Sequence, residues 1–143
     1  MIDEYEALVR NNTWELVPSL DKYNIIGNKW VFRIKYHSDV SVAKFKGRLV
    51  AKGFHQTPGV DFCDTFSAVL KPFTLRVIFT LTVTNGWQIQ QIDVNNAFLN
   101  GELKDVVYME QLLGFVNPSQ AHHVCKLKKV LYGLKQALRA WFP

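Results

Sequence analysis

Four carboxylates, Asp93, Glu102, Asp105 and Glu110, fall close together in the second half of the chain. Two-metal phosphoryl transfer needs such a set, because hard divalent cations take oxygen ligands and a pair of ions roughly 4 Å apart can clamp both the attacking and the leaving oxygen. Only Asp93 ends an apolar, alternating stretch, Trp87-Gln-Ile-Gln-Gln-Ile-Asp93. An aspartate in that setting is costly unless it is paired or metal-bound. On residue type alone it suits a cap for the Asn95-Asn96 turn somewhat better than a ligand. His55, Cys63, His122, His123 and Cys125 are zinc ligands by type, but they form no C-x-x-C or H-x-x-x-H pair, and a zinc site is not expected. The chain contains neither a G-x-x-x-x-G-K-[ST] phosphate loop nor a G-x-S-x-G elbow.

A second chemistry lies in the cations. Between residues 22 and 52, Lys22, Lys29, Arg33, Lys35, Lys44, Lys46, Arg48 and Lys52 face Asp39 alone, and from Lys126 to Arg139 five cations occur with no acid. Residues 1–21 and 53–110 are net acidic. Two basic blocks around a carboxylate-bearing middle suit a protein that holds a polyanion, although solvated surface faces give the same counts.

These side chains must be positioned by a small set of elements. Asp3 is placed to cap a short amphipathic helix, Glu4 to Arg10, ended by Asn11-Asn12, and Trp14 to Val17 reads as a brief strand stopped by Pro18. From Lys29 to His37, Trp30, Phe32, Ile34 and Tyr36 alternate with Val31, Arg33 and Lys35; from Lys44 to Gly53, the cations and Val50 alternate with Phe45, Gly47, Leu49 and Ala51. The two runs, joined at Ser38-Asp39, predict a long hairpin with one apolar and one basic face. His55 to Asp64 reads as loop. Thr74 would cap a helix to about Thr84, with Leu75, Ile78, Leu81 and Thr82 inward, a strand being the alternative; strands follow at Trp87–Asp93, Val106–Met109 and His123–Leu127, and a helix from Leu134 to the end.

The 143 residues carry a net charge of +5, 48% hydrophobic and 13% aromatic side chains, which suits one domain or part of one and is too apolar for disorder. No apolar run approaches the roughly 18 residues of a membrane span, and the N-terminus is acidic where a signal peptide is basic, so an intracellular, water-soluble chain with no membrane partner is expected. Cys63 and Cys125 are expected to be small buried side chains rather than a disulfide.

Six blocks carry a resemblance: Lys29-Trp-Val-Phe, Arg48-Leu-Val-Ala-Lys-Gly-Phe, Asp64-Thr-Phe-Ser, Gln91-Ile-Asp-Val-Asn-Asn-Ala-Phe-Leu, Val107-Tyr-Met and Leu131-Tyr-Gly-Leu-Lys-Gln-Ala. Together, in this order, they closely resemble the reverse transcriptase domain of copia-type long-terminal-repeat retrotransposons, from about Asn12 to Phe142. The resemblance implies an α+β right-hand polymerase fold, fingers and a partial palm, with an antiparallel sheet and flanking helices. Residues 1–27 would form a lead-in segment, 28–72 a fingers-like basic hairpin and loop, and 73–143 part of the palm. It implies template-directed DNA synthesis by two-metal nucleotidyl transfer, with an RNA template, an RNA–DNA hybrid and deoxynucleotide triphosphates as partners and two magnesium ions as cofactor of the intact enzyme, which this fragment is not expected to bind stably. Asp93 would be the catalytic carboxylate and a ligand of both ions. Phe98 would be the aromatic gate beneath the sugar, Lys35, Lys46 and Arg48 would hold the triphosphate, and Gln136 and Lys135 would lie nearest the template. Family elements act in cytoplasmic particles with access to the nucleus, which sets the expected location.

The family's Tyr-x-Asp-Asp box is absent from these residues, so a fragment unable to polymerise is expected, the alternative being a non-catalytic RNA- or DNA-binding remnant. Val40, Ala68, Leu112-Leu113 and Leu138 stand where the family usually has glycine, proline, a proline pair and proline. Each loosens a turn or lengthens an apolar run.

Overall fold

In the computed structural model, residues 1–65, 70–92 and 101–141 are described. The first helix, α1 (Ile2–Arg10), starts behind Met1 with no side-chain cap, so Asp3 lies inside its first turn beside Glu4 instead of capping it. There both carboxylates favour the positive end of the helix dipole, and Arg10 favours the other end. The helix stops where the Asn11 side chain donates to the Ala7 carbonyl at 2.7 Å and Asn12 turns left-handed at φ 51°.

Strand β1 (Trp14–Pro18) then pairs antiparallel with β6 (His123–Leu127), from Trp14 opposite Leu127 to Pro18 opposite His123. On the other side of β6 lies β5 (Tyr108–Met109), antiparallel, and beyond it β2 (Ile25–Ile26), parallel to β5, giving the order β1-β6-β5-β2. Strand β2 was not foreseen, since two residues are too short to show an alternation. Proline at the end of β1 suits an edge strand, where a missing N–H costs no ladder bond.

The predicted hairpin forms as β3 (Asn28–Tyr36) and β4 (Val42–Ala51), a separate two-stranded ribbon. Its loop is a tight turn: the Val40 amide donates to the His37 carbonyl at 3.0 Å, the His37 amide to the Ser41 carbonyl at 2.8 Å, and Val40 sits at φ 68°. This is a three-residue hairpin loop whose left-handed position glycine normally fills. The Asp39 carboxylate accepts from the Ser41 hydroxyl and amide, which holds its pKa below the ordinary value.

The core lies between the four-stranded sheet, the foot of the ribbon and the segment after β6. It is built from Leu8, Ile26, Leu49, Ala51, Val107, Met109, Leu112, Cys125, Leu127, Val130, Leu131, Leu134 and Ala137. Tyr5 stacks on Phe115 at 4.1 Å, and Trp30 tilts against the same ring at 6.0 Å, joining α1 to the ribbon.

Four further expectations are corrected by this fold. Helix α2 (Pro72–Thr84) starts with Pro72 in its first turn behind Lys71, because proline's fixed φ and missing N–H suit that position better than a Thr74 cap. Its expected inward residues Leu75, Ile78 and Leu81 are exposed, and Thr82 is its buried side chain among the described residues. Trp87 to Ile92 forms no strand: alternation marks a segment able to pair, and this one has no ladder partner among the described residues. The last helix, α3 (Ala137–Trp141), starts later than Leu134, because Leu131 to Gln136 is spent on turns.

Candidate nucleic-acid interface

The ribbon register decides which side chains meet. Residues directly opposite in an antiparallel pair share a face. Arg33 stands opposite Lys46, Lys35 opposite Lys44 and Val31 opposite Arg48, while Phe32 faces Gly47 and Ile34 faces Phe45. The basic face is therefore a ladder of cations in which like charges are direct neighbours, an arrangement that is unfavourable in isolation and is relieved by an anion. The described residues hold three ion pairs, Lys126–Glu15, Lys128–Glu15 and Arg139–Asp64, and none uses a ribbon cation. Of the sequence-predicted cations, Lys35 is exposed and Lys46 half-buried; the Arg48 guanidinium lies 5.4 Å from the centre of the Tyr132 ring. Glu4 of α1 is the nearby acid: burial raises its pKa, against the pull of Lys46, Arg48 and the N-terminal ammonium.

A backbone crossing anchors the ribbon foot. The Ala51 amide donates to the Tyr132 carbonyl at 2.7 Å, and Val50 bridges Tyr132 in parallel. Gly133, at φ 89°, passes so close that a Cβ there would overlap the Ala51 carbonyl oxygen and stand 2.7 Å from Val50 Cγ1; a Cβ on Gly53 would overlap the Gly133 carbonyl. The glycines of Lys52-Gly53-Phe54 and Tyr132-Gly133-Leu134 are thus two halves of one crossing, made possible by missing side chains.

Behind this crossing lies a buried polar network. Gln56 donates from Nε2 to Gln136 Oε1 at 3.0 Å and accepts the Lys135 amide at 2.8 Å. The Gln136 Nε2 donates to the Asp61 carbonyl at 3.0 Å and to Asp105 Oδ2 at 3.3 Å. The Asp61 carboxylate accepts the Thr57 amide at 2.7 Å and the Asn24 side-chain amide. Gln56, Asp61 and Gln136 are all buried, so each polar group needs the partner it has. The sequence put Lys135 and Gln136 together; the fold separates them, with Lys135 exposed and its ammonium 5.1 Å from the Phe62 ring centre, and Gln136 bonded on both ends of its amide to protein groups. Sequence reading missed Asn24, Gln56 and Asp61, because single polar residues in a loop carry no spacing signal.

Beside Asp105 opens a cavity of about 490 Å³ lined by Cys63, Asp64, Glu102, Lys104, Gln136 and Arg139 among others. Asp64 and Arg139 close one wall through a 2.8 Å ion pair. Glu102 and Asp105 share this cavity, whereas Glu110 lies at the ribbon foot, where a Cβ on Gly27 would stand 3.4 Å from its carboxylate. Asp93 and Phe98 lie outside the described residues, as does Ala68. Both cysteines are free; Cys125 is buried and its pKa is pushed up to about 12 by burial, but Cys63 is exposed, which corrects the expectation that both are core side chains.

The chain matches the family described as reverse transcriptase (RNA-dependent DNA polymerase) over residues 11–143, and it belongs to that family. It is 49% identical over 99% of its length to the retrovirus-related Pol polyprotein from transposon RE1 of Arabidopsis thaliana, and 43% identical over 99% to that from transposon TNT 1-94 of Nicotiana tabacum. It spans about a tenth of these relatives, 10% and 11% of their lengths. Over 97 residues it is 44% identical to an uncharacterized mitochondrial protein, AtMg00820, of Arabidopsis thaliana, covering 68% of this chain and 53% of that one. No solved structure matches. Sequence and comparisons thus agree that this is reverse transcriptase sequence of a retrotransposon Pol polyprotein, in a mixed α+β arrangement of small sheets and few helices.

The activity by which the family is described, RNA-dependent DNA polymerisation, implies a divalent metal ion, nucleic acid and nucleotides for the whole enzyme. Among the described residues no group of three His, Cys, Asp or Glu side chains could hold a cation, so these residues do not by themselves fit a metal site. No helix of the described residues is long and apolar enough to cross a membrane.

Proposed function

We propose that this chain supplies the fingers and the first part of the palm of a right-hand reverse transcriptase, and that its ribbon holds the phosphates of an RNA–DNA hybrid or an incoming deoxynucleotide triphosphate. The observation that carries the reading is the register placing Arg33 against Lys46 and Lys35 against Lys44 on one face of β3–β4. Like charges held opposite one another gain most from a polyanion, whose bound counterions are released as the cations take their place. On this reading residues 1–27 lead in, 28–72 form the fingers and 73–143 belong to the palm. Asp93 takes one ligand position for magnesium, and Phe98 lies beneath the sugar. Lys35, Lys46 and Arg48 bind the phosphates. Lys135 is the exposed side of the Gly-Leu-Lys-Gln segment and touches the template, while Gln136 holds that segment in place from inside. The site of action is the cytoplasm, with access to the nucleus.

A second reading, a non-catalytic nucleic-acid binder, is favoured by the same face, because the ribbon's charge ladder requires no metal. Photo-crosslinking of an RNA–DNA hybrid to the chain, followed by peptide mapping, tests what both share. Crosslinks in the peptides spanning residues 28–51 are expected; crosslinks confined to the Lys126–Lys129 face would overturn the assignment of the ribbon. On either reading this chain by itself should not extend a primer; magnesium-dependent primer extension abolished by Asp93→Ala would overturn that expectation and mark an active polymerase.

A further inference from the structure

The other face of the ribbon carries an inference of its own, independent of any catalytic role. Beyond Trp30 and Leu49, which join the core region, this face presents Phe32, Ile34, Tyr36, Val42 and Phe45, exposed at 65%, 47%, 58%, 50% and 75%. It holds no charged side chain, since every cation of the two strands lies on the opposite face up to the irregularity between Lys35 and Tyr36. An isolated two-stranded ribbon is marginal in water and gains stability when a face is covered.

We propose that a second copy of this chain covers it, the two ribbons stacking face to face about a two-fold axis as a four-stranded sandwich. Three physical points select this occupant. First, the area suffices: with aromatic side chains of about 150–250 Å² each, the five residues offer roughly 500–600 Å² per copy. Two copies would therefore bury about 1,100 Å², above the roughly 1,000 Å² that a specific interface needs. Second, the charge is segregated. In a stack with sheets about 10 Å apart, the cation ladders of the two copies point away from each other, and the net charge of +5 per chain does not oppose the association at close range. Third, the cation beside this face is the Met1 ammonium at its foot, 3.6 Å from where a Cβ on Gly47 would stand, whereas the whole ladder of lysines and arginines lies on the opposite face, to which a nucleic acid or an anionic membrane is left. The same patch presented by both partners is self-complementary, as a two-fold interface requires.

Sedimentation velocity of the full 143-residue chain over a concentration series, without nucleic acid, tests this. A reversible monomer–dimer equilibrium in the micromolar range is expected. Phe32→Lys/Phe45→Lys should weaken it at least tenfold with unchanged far-ultraviolet circular dichroism, both sites being too exposed to be needed for the fold. Phe45→Thr, whose branched side chain suits a strand, should weaken it severalfold and serves if the double variant unfolds. Phe73→Lys on α2, which also exposes apolar side chains, should leave the equilibrium unchanged. A chain that stays monomeric at all concentrations, or a dimer abolished by Phe73→Lys and kept with Phe45→Thr, would overturn the proposal.

Discussion

Replacing Gly133 by alanine should be among the most damaging single-methyl changes in this protein, and the structure allows its cost to be divided. At φ 89° any side chain carries the left-handed penalty, about 1–2 kcal/mol. The added Cβ would also overlap the Ala51 carbonyl oxygen and approach Val50 Cγ1 to 2.7 Å, so the chain around Gly133 must move off the ribbon foot. That movement breaks the 2.7 Å bond from the Ala51 amide to the Tyr132 carbonyl, beside a residue only 3% exposed. Stranding a buried amide costs about 1–3 kcal/mol. The total is about 2–5 kcal/mol, a large share of the stability of a domain this size. Gly59 is the internal control: it has a similar φ of 78°, and nothing lies within 4 Å of the Cβ position, so Gly59→Ala should carry the backbone penalty alone. The assay is urea unfolding followed by tryptophan fluorescence, with both variants at the same ionic strength. If Gly133→Ala costs no more than Gly59→Ala, the close crossing of Tyr132-Gly133 over β4 does not exist in solution.

Val40→Gly should stabilise the hairpin turn: relief of the left-handed strain, about 1–2 kcal/mol, exceeds the roughly 0.5–1 kcal/mol of extra chain entropy that glycine loses. Amide exchange in the turn should slow by about two- to fivefold, and faster exchange would refute it. Glu4 has a folded pKa raised above its ordinary value of 4.5 by burial. Its carboxyl therefore favours the fold when protonated, a contribution present below pH 4.5 and lost as pH rises through the folded value. Glu4→Gln should raise the melting temperature at pH 7 and leave it unchanged at about pH 4; an equal shift at both pH values contradicts the assignment. With a thiol reagent at about pH 8, Cys63 should react at once and Cys125, held protonated with a pKa of about 12, only on unfolding. Two fast thiols in the native chain would place β6 outside the core.

The ribbon was the most legible part of the fold, because two long alternating runs fix both their strand character and their faces, and the pairing of Ile34 with Phe45 follows once the turn is set. Its strained turn was visible too, in the valine that stands where the family has glycine. The four-stranded sheet was legible only in part. Strands β1 and β6 carry patterns of their own, whereas β2 exists because Ile26 reaches Met109 across the chain, a pairing no local pattern encodes. Helix α2 could be read as a helix but not oriented, since apolar residues lie on most of its sides. For the site, the cations were found by their spacing and the glycines by the family words. The reason for those glycines is a mutual approach of Gly53 and Gly133 that sequence spacing cannot express. Gln136 was noticed for the same words, yet its amide is committed inward to Gln56, Asp61 and Asp105, a placement that depends on three loops meeting.

The most direct test of the account is the salt dependence of RNA–DNA hybrid binding, measured by fluorescence anisotropy between low and physiological salt. With four or five ribbon cations each neutralising a phosphate, the logarithm of the binding constant should fall with the logarithm of salt with a slope of about −3.5 to −4.5. Arg33→Gln/Lys46→Gln should flatten that slope by about two units, one for each phosphate that no longer meets a cation. A slope unchanged by this double substitution, or binding that persists undiminished at high salt, would contradict the claim that the basic face of β3–β4 is where this chain meets nucleic acid.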